Sequence, residues 1–157
     1  MNDVVLAIGQ NIDGATAKAE TVIDLFDVDN VRAYLLHDFV DNPEGASVTQ
    51  IEAVKRAQEL LEEAGVPVEL REGSGEPAES IIATAEELDA DAICVGGRSR
   101  SPAGKVLFGS VSQSVVLNTE RPVLICSEGE SYHDPERVGL RSVSSLQSAI
   151  VRTNRTV

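Results

Sequence analysis

The sequence predicts an α/β fold: a single doubly wound domain with a five-stranded parallel sheet and helices on both faces. Three observations carry this. Short apolar runs alternate with helical patterns along the first 127 residues. The first run, Val4-Val5-Leu6-Ala7-Ile8, is continuous rather than alternating, as in a strand buried on both faces. The chain has 157 residues and 42% apolar content, enough for one domain with its own core. Strands separated by helices pair in parallel, and right-handed crossovers leave few topologies.

The elements follow in order. After Val4–Ile8, Asp13 is placed to cap a helix whose stripe is Ala17, Ala19, Val22, Ile23, Leu25 and Phe26. Val31–Phe39 reads as the second strand, and Asn42-Pro43-Glu44-Gly45 breaks the chain. A helix is predicted from Val48 to Ala64, with Gly65 placed to end it. Val66–Leu70 alternates, as a strand near an edge does. Gly73-Ser74-Gly75 reads as a loop, and Pro77 suits the first turn of the next helix, with Ile81 and Ala85 facing the core. Ala92–Val95 is the fourth strand, Gly109–Asn118 the last helix and Val123–Cys126 the fifth strand. The tail changes character, so the chain divides into a domain over 1–127 and a polar tail over 128–157. Within the tail, Ser142–Arg152 fits either a short amphipathic helix or a disordered segment.

Charge narrows the function. The net charge is −13, and Lys18, Lys55 and Lys105 are the only lysines. Such a surface repels nucleic acid and anionic membranes, so neither is expected as a partner. It suits a halophilic protein in a salt-rich cytoplasm first, and an ordinary acidic cytosolic one second. No apolar run approaches the ~20 residues that span a bilayer, and the start of the chain lacks a basic n-region, so a cytoplasmic location is expected. Cys94 and Cys126 each end an apolar run and read as buried free thiols.

The informative segment runs from Gly96 to Val111, after a buried strand and into a helix. In open α/β sheets, ligands bind at the carboxyl ends of strands where strand order reverses. Gly96 and Gly97 allow a sharp turn and close backbone approach. The amides of Gly109, Ser110 and Val111 would leave a helix N-terminus, where the dipole favours phosphate. Ser99, Ser101 and Ser110 add hydroxyl donors. Arg98, Arg100 and Lys105 fall within eight residues, with no acid among them. The pattern fits an anion site, and it also fits a surface loop whose basic residues pair with neighbouring acids.

This segment resembles the universal stress protein signature, G-x2-G-x9-G-[S/T], which binds nucleotide phosphate and ribose in the family's ATP-binding branch. Gly96 fits the first glycine, and Gly109-Ser110 fits the closing pair. Glu76–Ile82, Asp91–Gly96 and Arg121–Ile125 are also similar to the family, over about residues 3–127. The resemblance implies sheet order 3-2-1-4-5, a homodimer through the last strand, and ATP or AMP as ligand. It implies that Gly96, Gly97, Ser99, Gly109, Ser110 and Val111 hold phosphate and ribose, with Arg98 adding charge. The end of the second strand, at Asp38, matches the family's backbone contact to adenine. Two positions depart from the pattern. Ser99 stands for the second glycine, and Gly9 stands where ATP-binding members carry an aspartate that contacts the nucleoside.

Other chemistries lack their motifs. There is no G-x4-G-K-[S/T], no Cys/His set with metal spacing and no G-x-S-x-G elbow, so no enzyme is expected. His37 reads as a satisfied core or rim histidine, and Ser110 as a helix cap. An aromatic content of 3% argues against a flavin-carrying relative of the same fold. Two readings remain: a nucleotide-binding stress-response protein, and a dimeric interaction module without nucleotide, which Gly9 and Ser99 motivate.

Overall fold

The structure, a computed structural model, describes residues 1–39, 51–98, 107–127 and 149–151. The strands are β1 (Asn2–Ala7), β2 (Val31–Asp38), β3 (Val68–Gly73), β4 (Ala92–Arg98), β5 (Leu107–Phe108), β6 (Val123–Ser127) and β7 (Ala149–Val151). The α-helices are α1 (Ile12–Leu25), α2 (Glu52–Glu63), α3 (Pro77–Glu87) and α4 (Ser110–Asn118). The predicted break at Asn42-Pro43-Glu44-Gly45 and the predicted helix start at Val48 lie outside the described residues.

The five parallel strands stand in the order β3-β2-β1-β4-β6, which is the expected 3-2-1-4-5. Alternate residues of each strand feed two cores. On one face Val4, Leu6, Leu35 and Cys94 pack with Ala19 and Val22 of α1 and Val54 and Leu61 of α2. On the other, Val5, Leu36, Ile93 and Ile125 pack with Ile81 and Ala85 of α3 and Val115 of α4. Burial on both faces is why the strands read as unbroken apolar runs.

Local chemistry sets the helix starts. Asn11, not Asp13, caps α1, its side chain accepting from the Gly14 amide at 3.0 Å. Asp13 falls inside the first turn, where a carboxylate still favours the helix dipole. Glu76 caps α3, accepting from the amides of Ala78 and Glu79, and Pro77 opens the helix as expected. Gly65, at φ +91°, follows α2 in the left-handed region that glycine adopts freely.

Two antiparallel additions lie beyond the expected five strands. β5 folds back on β4, pairing Gly97 with Phe108 and Arg98 with Leu107. β7 pairs along the outer edge of β6, with Leu124 opposite Ile150. It falls within 142–152, where the sequence allowed a helix or disorder. The open edge of an apolar strand favours a further strand, and Ile150-Val151 is β-branched. The β6 edge through which the resemblance implies a homodimer is therefore paired with β7 of the same chain.

Candidate functional site

The sheet order reverses between β1 and β4. The chain leaves β1 for α1 on one face, and leaves β4 for α4 on the other. A cleft of about 280 Å³ opens at the carboxyl ends of these strands, on the side of α3 and α4. Its size is near the lower end of small-molecule sites, ~300 Å³. Ala7, Ile8 and Gly9 form the β1 side, Leu36 and Asp38 the β2 side, and Val95 and Gly96 the β4 side. Pro77 and Ile81 of α3 and Val111 and Ser112 of α4 close it.

Four of the nine predicted site residues thus meet in one cleft: Gly9, Asp38, Gly96 and Val111. Gly97 and Arg98 belong to β4, and their backbones pair with β5. Gly109 is the N-cap of α4 with no side-chain cap bond, and Ser110 is the first helical residue, which corrects its reading as the cap. Ser99, Ser101, Arg100 and Lys105 lie outside the described residues.

Ser112 was not singled out in the sequence. Its hydroxyl donates to the Gly96 carbonyl at 2.5 Å, tying the first turn of α4 to the end of β4. The preference of serine for helix starts hid this longer-range role. Lys18 is a second residue without a sequence signal for its place. It is buried in α1 behind β4, with Nζ 3.4 Å from where a Cβ on Gly96 would stand.

Asp38 is the one ionisable side chain among the described residues lining the cleft. Both its carboxylate oxygens are closed to solvent and have no hydrogen-bond partner among the described residues. A buried acceptor left unpaired costs about 1–3 kcal/mol, and more when ionised. Gly73, its neighbour in β3, makes the room: a Cβ there would meet Asp38 Oδ2 at 3.1 Å and collide with Ser80 Oγ.

The other titratable groups nearby are structural. His37 is buried, and its Nδ1 donates to the Ile8 carbonyl at 2.7 Å, which ties the ends of β1 and β2. Phe39 meets the His37 ring edge-on. Cys94 and Cys126 are buried thiols, as expected. The hydrogen bond to Cys126, then burial, push the Cys94 thiol well above its ordinary value, so it stays protonated. Among the described residues no group of three or more His, Cys, Asp or Glu could hold a metal ion, and no helix is long and apolar enough to cross a membrane.

Fold and cleft define an open α/β protein with a cleft at the switch point of its sheet. The chain belongs to the universal stress protein family, whose model matches residues 4–127. A universal stress protein of Mycolicibacterium smegmatis is 40% identical over 65 residues, covering 41% of this chain and 50% of that one. The chain spans about half the length of the curated relatives it matches, between 44% and 51%. Among solved structures, a universal stress protein from Archaeoglobus fulgidus superposes with a TM-score of 0.67 at 27% identity, covering 80% of this chain and 98% of that one. One from Archaeoglobus fulgidus in complex with dAMP gives 0.60 at 23% identity, covering 80% and 97%.

Proposed function

We propose that this chain is a stress-response protein that binds an adenine nucleotide, ATP or AMP, and acts by binding rather than by turnover. The observation that carries the reading is the cleft itself. It joins Gly9, Asp38, Gly96 and the first turn of α4 at the switch point of the sheet. Apolar walls suit a base, and the free amides that open α4 suit a phosphate. Gly97, Arg98, Ser99, Gly109 and Ser110 complete the phosphate and ribose end. The structural neighbour in complex with dAMP supports an adenine nucleotide by family analogy. In this reading residues 1–127 form the binding domain and 128–157 an appended tail.

The proposal places the protein in the cytoplasm and extends to a salt-rich one, on the strength of the −13 net charge. The homodimer through the last strand forms where β7 gives up the outer edge of β6.

Calorimetric titration of the purified chain with ATP and with AMP, in concentrated potassium chloride, tests the reading. Saturable heat, or adenine nucleotide released from the purified protein on denaturation, is the expected result. No heat together with no co-purified nucleotide overturns it.

A further inference from the structure

We infer that Cys94 and Cys126 together form a site for a soft monovalent cation, Cu(I), held as a bis-thiolate whose charge Lys18 balances. The site lies on the α1 face of the sheet, opposite the cleft, and the inference does not depend on the nucleotide reading. These are the only cysteines of the chain, and adjacent parallel strands bring them together. The register sets Cys94 opposite Leu124 and Gly96 opposite Cys126, so the two cysteines are diagonal neighbours. Residues two apart on a strand share a face, and both side chains enter the core that α1 covers. Their thiols are hydrogen-bonded to each other. Gly96 completes the triangle, two residues after Cys94 and paired with Cys126. It has no side chain, and Lys18 of α1 takes the space, with Nζ 3.4 Å from where a Cβ on Gly96 would stand. Lys18 is the one buried lysine or arginine among the described residues. Its positive charge acts on the Cys94 sulfur.

The spacing separates metal binding from oxidation. Diagonal neighbours stand about 4.8 Å apart across the strands and about 6.6 Å along them, or about 8 Å between Cα atoms. Beyond ~7 Å a disulfide needs backbone movement. A bridging cation asks less, because two metal–thiolate bonds of about 2.3 Å hold the sulfurs about 4.6 Å apart. Thiolates select soft ions. Zinc takes four ligands, and no group of three or more His, Cys, Asp or Glu is gathered among the described residues. Cu(I) is satisfied by two thiolates in a line. Binding exchanges two S–H bonds for two Cu–S bonds; both protons leave and no electron moves. The complex carries one negative charge, and the Lys18 ammonium brings the cluster to neutrality. Neutral clusters are what a buried, dry site tolerates. Cys126 stands one residue before the end of β6, so local opening of the strand end admits the ion.

The reduced full-length chain is titrated anaerobically with Cu(I) against bicinchoninate, which competes for the ion. Stoichiometric binding and a rise in melting temperature are the expected results, the rise showing that the folded chain holds the ion. Cys94→Ala and Cys126→Ala are each expected to lose at least about a hundredfold in Cu(I) affinity, since even a residue outside the ligand set can be worth that much. X-ray absorption at the copper edge of the unaltered chain gives a reading that no variant's folding affects. Sulfur neighbours alone are expected, and nitrogen or oxygen neighbours overturn the site. Lys18→Met is expected to weaken Cu(I) by about 10–100-fold. It is expected to leave Hg(II) unchanged when read against a competing dithiol, because the Hg(II) bis-thiolate is already neutral. Equal weakening of both ions, or of neither, overturns the charge balance. Cu(I) surrendered wholly to bicinchoninate, held equally by the cysteine variants, or bound with a fall in melting temperature overturns the inference, and nucleotide binding stands in each case.

Discussion

A methyl group at Gly73 would occupy space that Asp38 and Ser80 already fill. The Cβ would collide with Ser80 Oγ, and would lie 3.3 Å from Ser80 Cβ and 3.1 Å from Asp38 Oδ2. Gly9 is the opposite case, with open space around the same position. Gly73→Ala is therefore expected to lower stability by about 1–3 kcal/mol, as overpacking does. Gly9→Ala is expected to stay within about 0.5 kcal/mol. Urea denaturation of the two variants decides, and equal losses would show that the crowding around Asp38 relaxes freely. The sequence read Gly73 as part of a Gly-Ser-Gly loop, yet it ends β3, because three punctuating residues in a row look like a turn whatever lies across from them. Gly75, at φ +88°, is the glycine of that stretch in the left-handed region. Asp38 was legible as a position at a strand end, where a backbone contact was expected. That its carboxylate oxygens are buried without a partner among the described residues depends on neighbours in β3 and α3, which no local pattern reports.

Helix α4 is seated by one bond as well as by packing. The Ser112 hydroxyl holds its first turn against the Gly96 carbonyl, so the helix N-terminus and the end of β4 keep one relative position. Ser112→Ala removes the donor and leaves that carbonyl unsatisfied, at an expected cost of about 1–3 kcal/mol. Nucleotide affinity is expected to fall with it, because the amides proposed to hold a phosphate lose their alignment, while Ser112→Thr keeps the hydroxyl and most of both quantities. Melting curves and calorimetry on the pair check this. An alanine variant that matches the unaltered chain in stability and affinity would place the seating of α4 in packing alone. At this scale the sequence was most legible where burial is two-sided: all five parallel strands and their helices are found where apolar runs and stripes predicted them. Caps were less legible, since Asn11 and Asp13 are both good acceptors two residues apart, and only the geometry of the turn chooses Asn11. β5 was not legible, because two residues, Leu107-Phe108, carry no periodicity.

The sheet as a whole has two edges, and the chain treats them differently. β3 is short, and it carries Glu69, Arg71 and Glu72, charged residues of the kind that discourage edge-to-edge pairing. β6 is apolar throughout Val123–Cys126 and buried there, and its outer edge is taken by β7. A resemblance that implies a dimer through the last strand and a tail strand on that same edge describe competing occupants of one set of ladder hydrogen bonds. In an antiparallel pair alternate N–H groups face the partner strand, so two consecutive prolines in β7 must strip at least one of them. Proline also cannot donate to the ladder. The double variant Ala149→Pro with Ile150→Pro is therefore expected to free the β6 edge. Sedimentation at micromolar concentration is expected to show a larger dimer fraction for the variant than for the unaltered chain. Unfolding is not the expected cost, because the parallel sheet from β3 to β6 and both cores are complete without β7. A far-ultraviolet circular dichroism spectrum that keeps its helical signal confirms that the comparison is between folded proteins. Identical sedimentation of the two, whether both monomeric or both dimeric, would show that β7 does not compete for the edge.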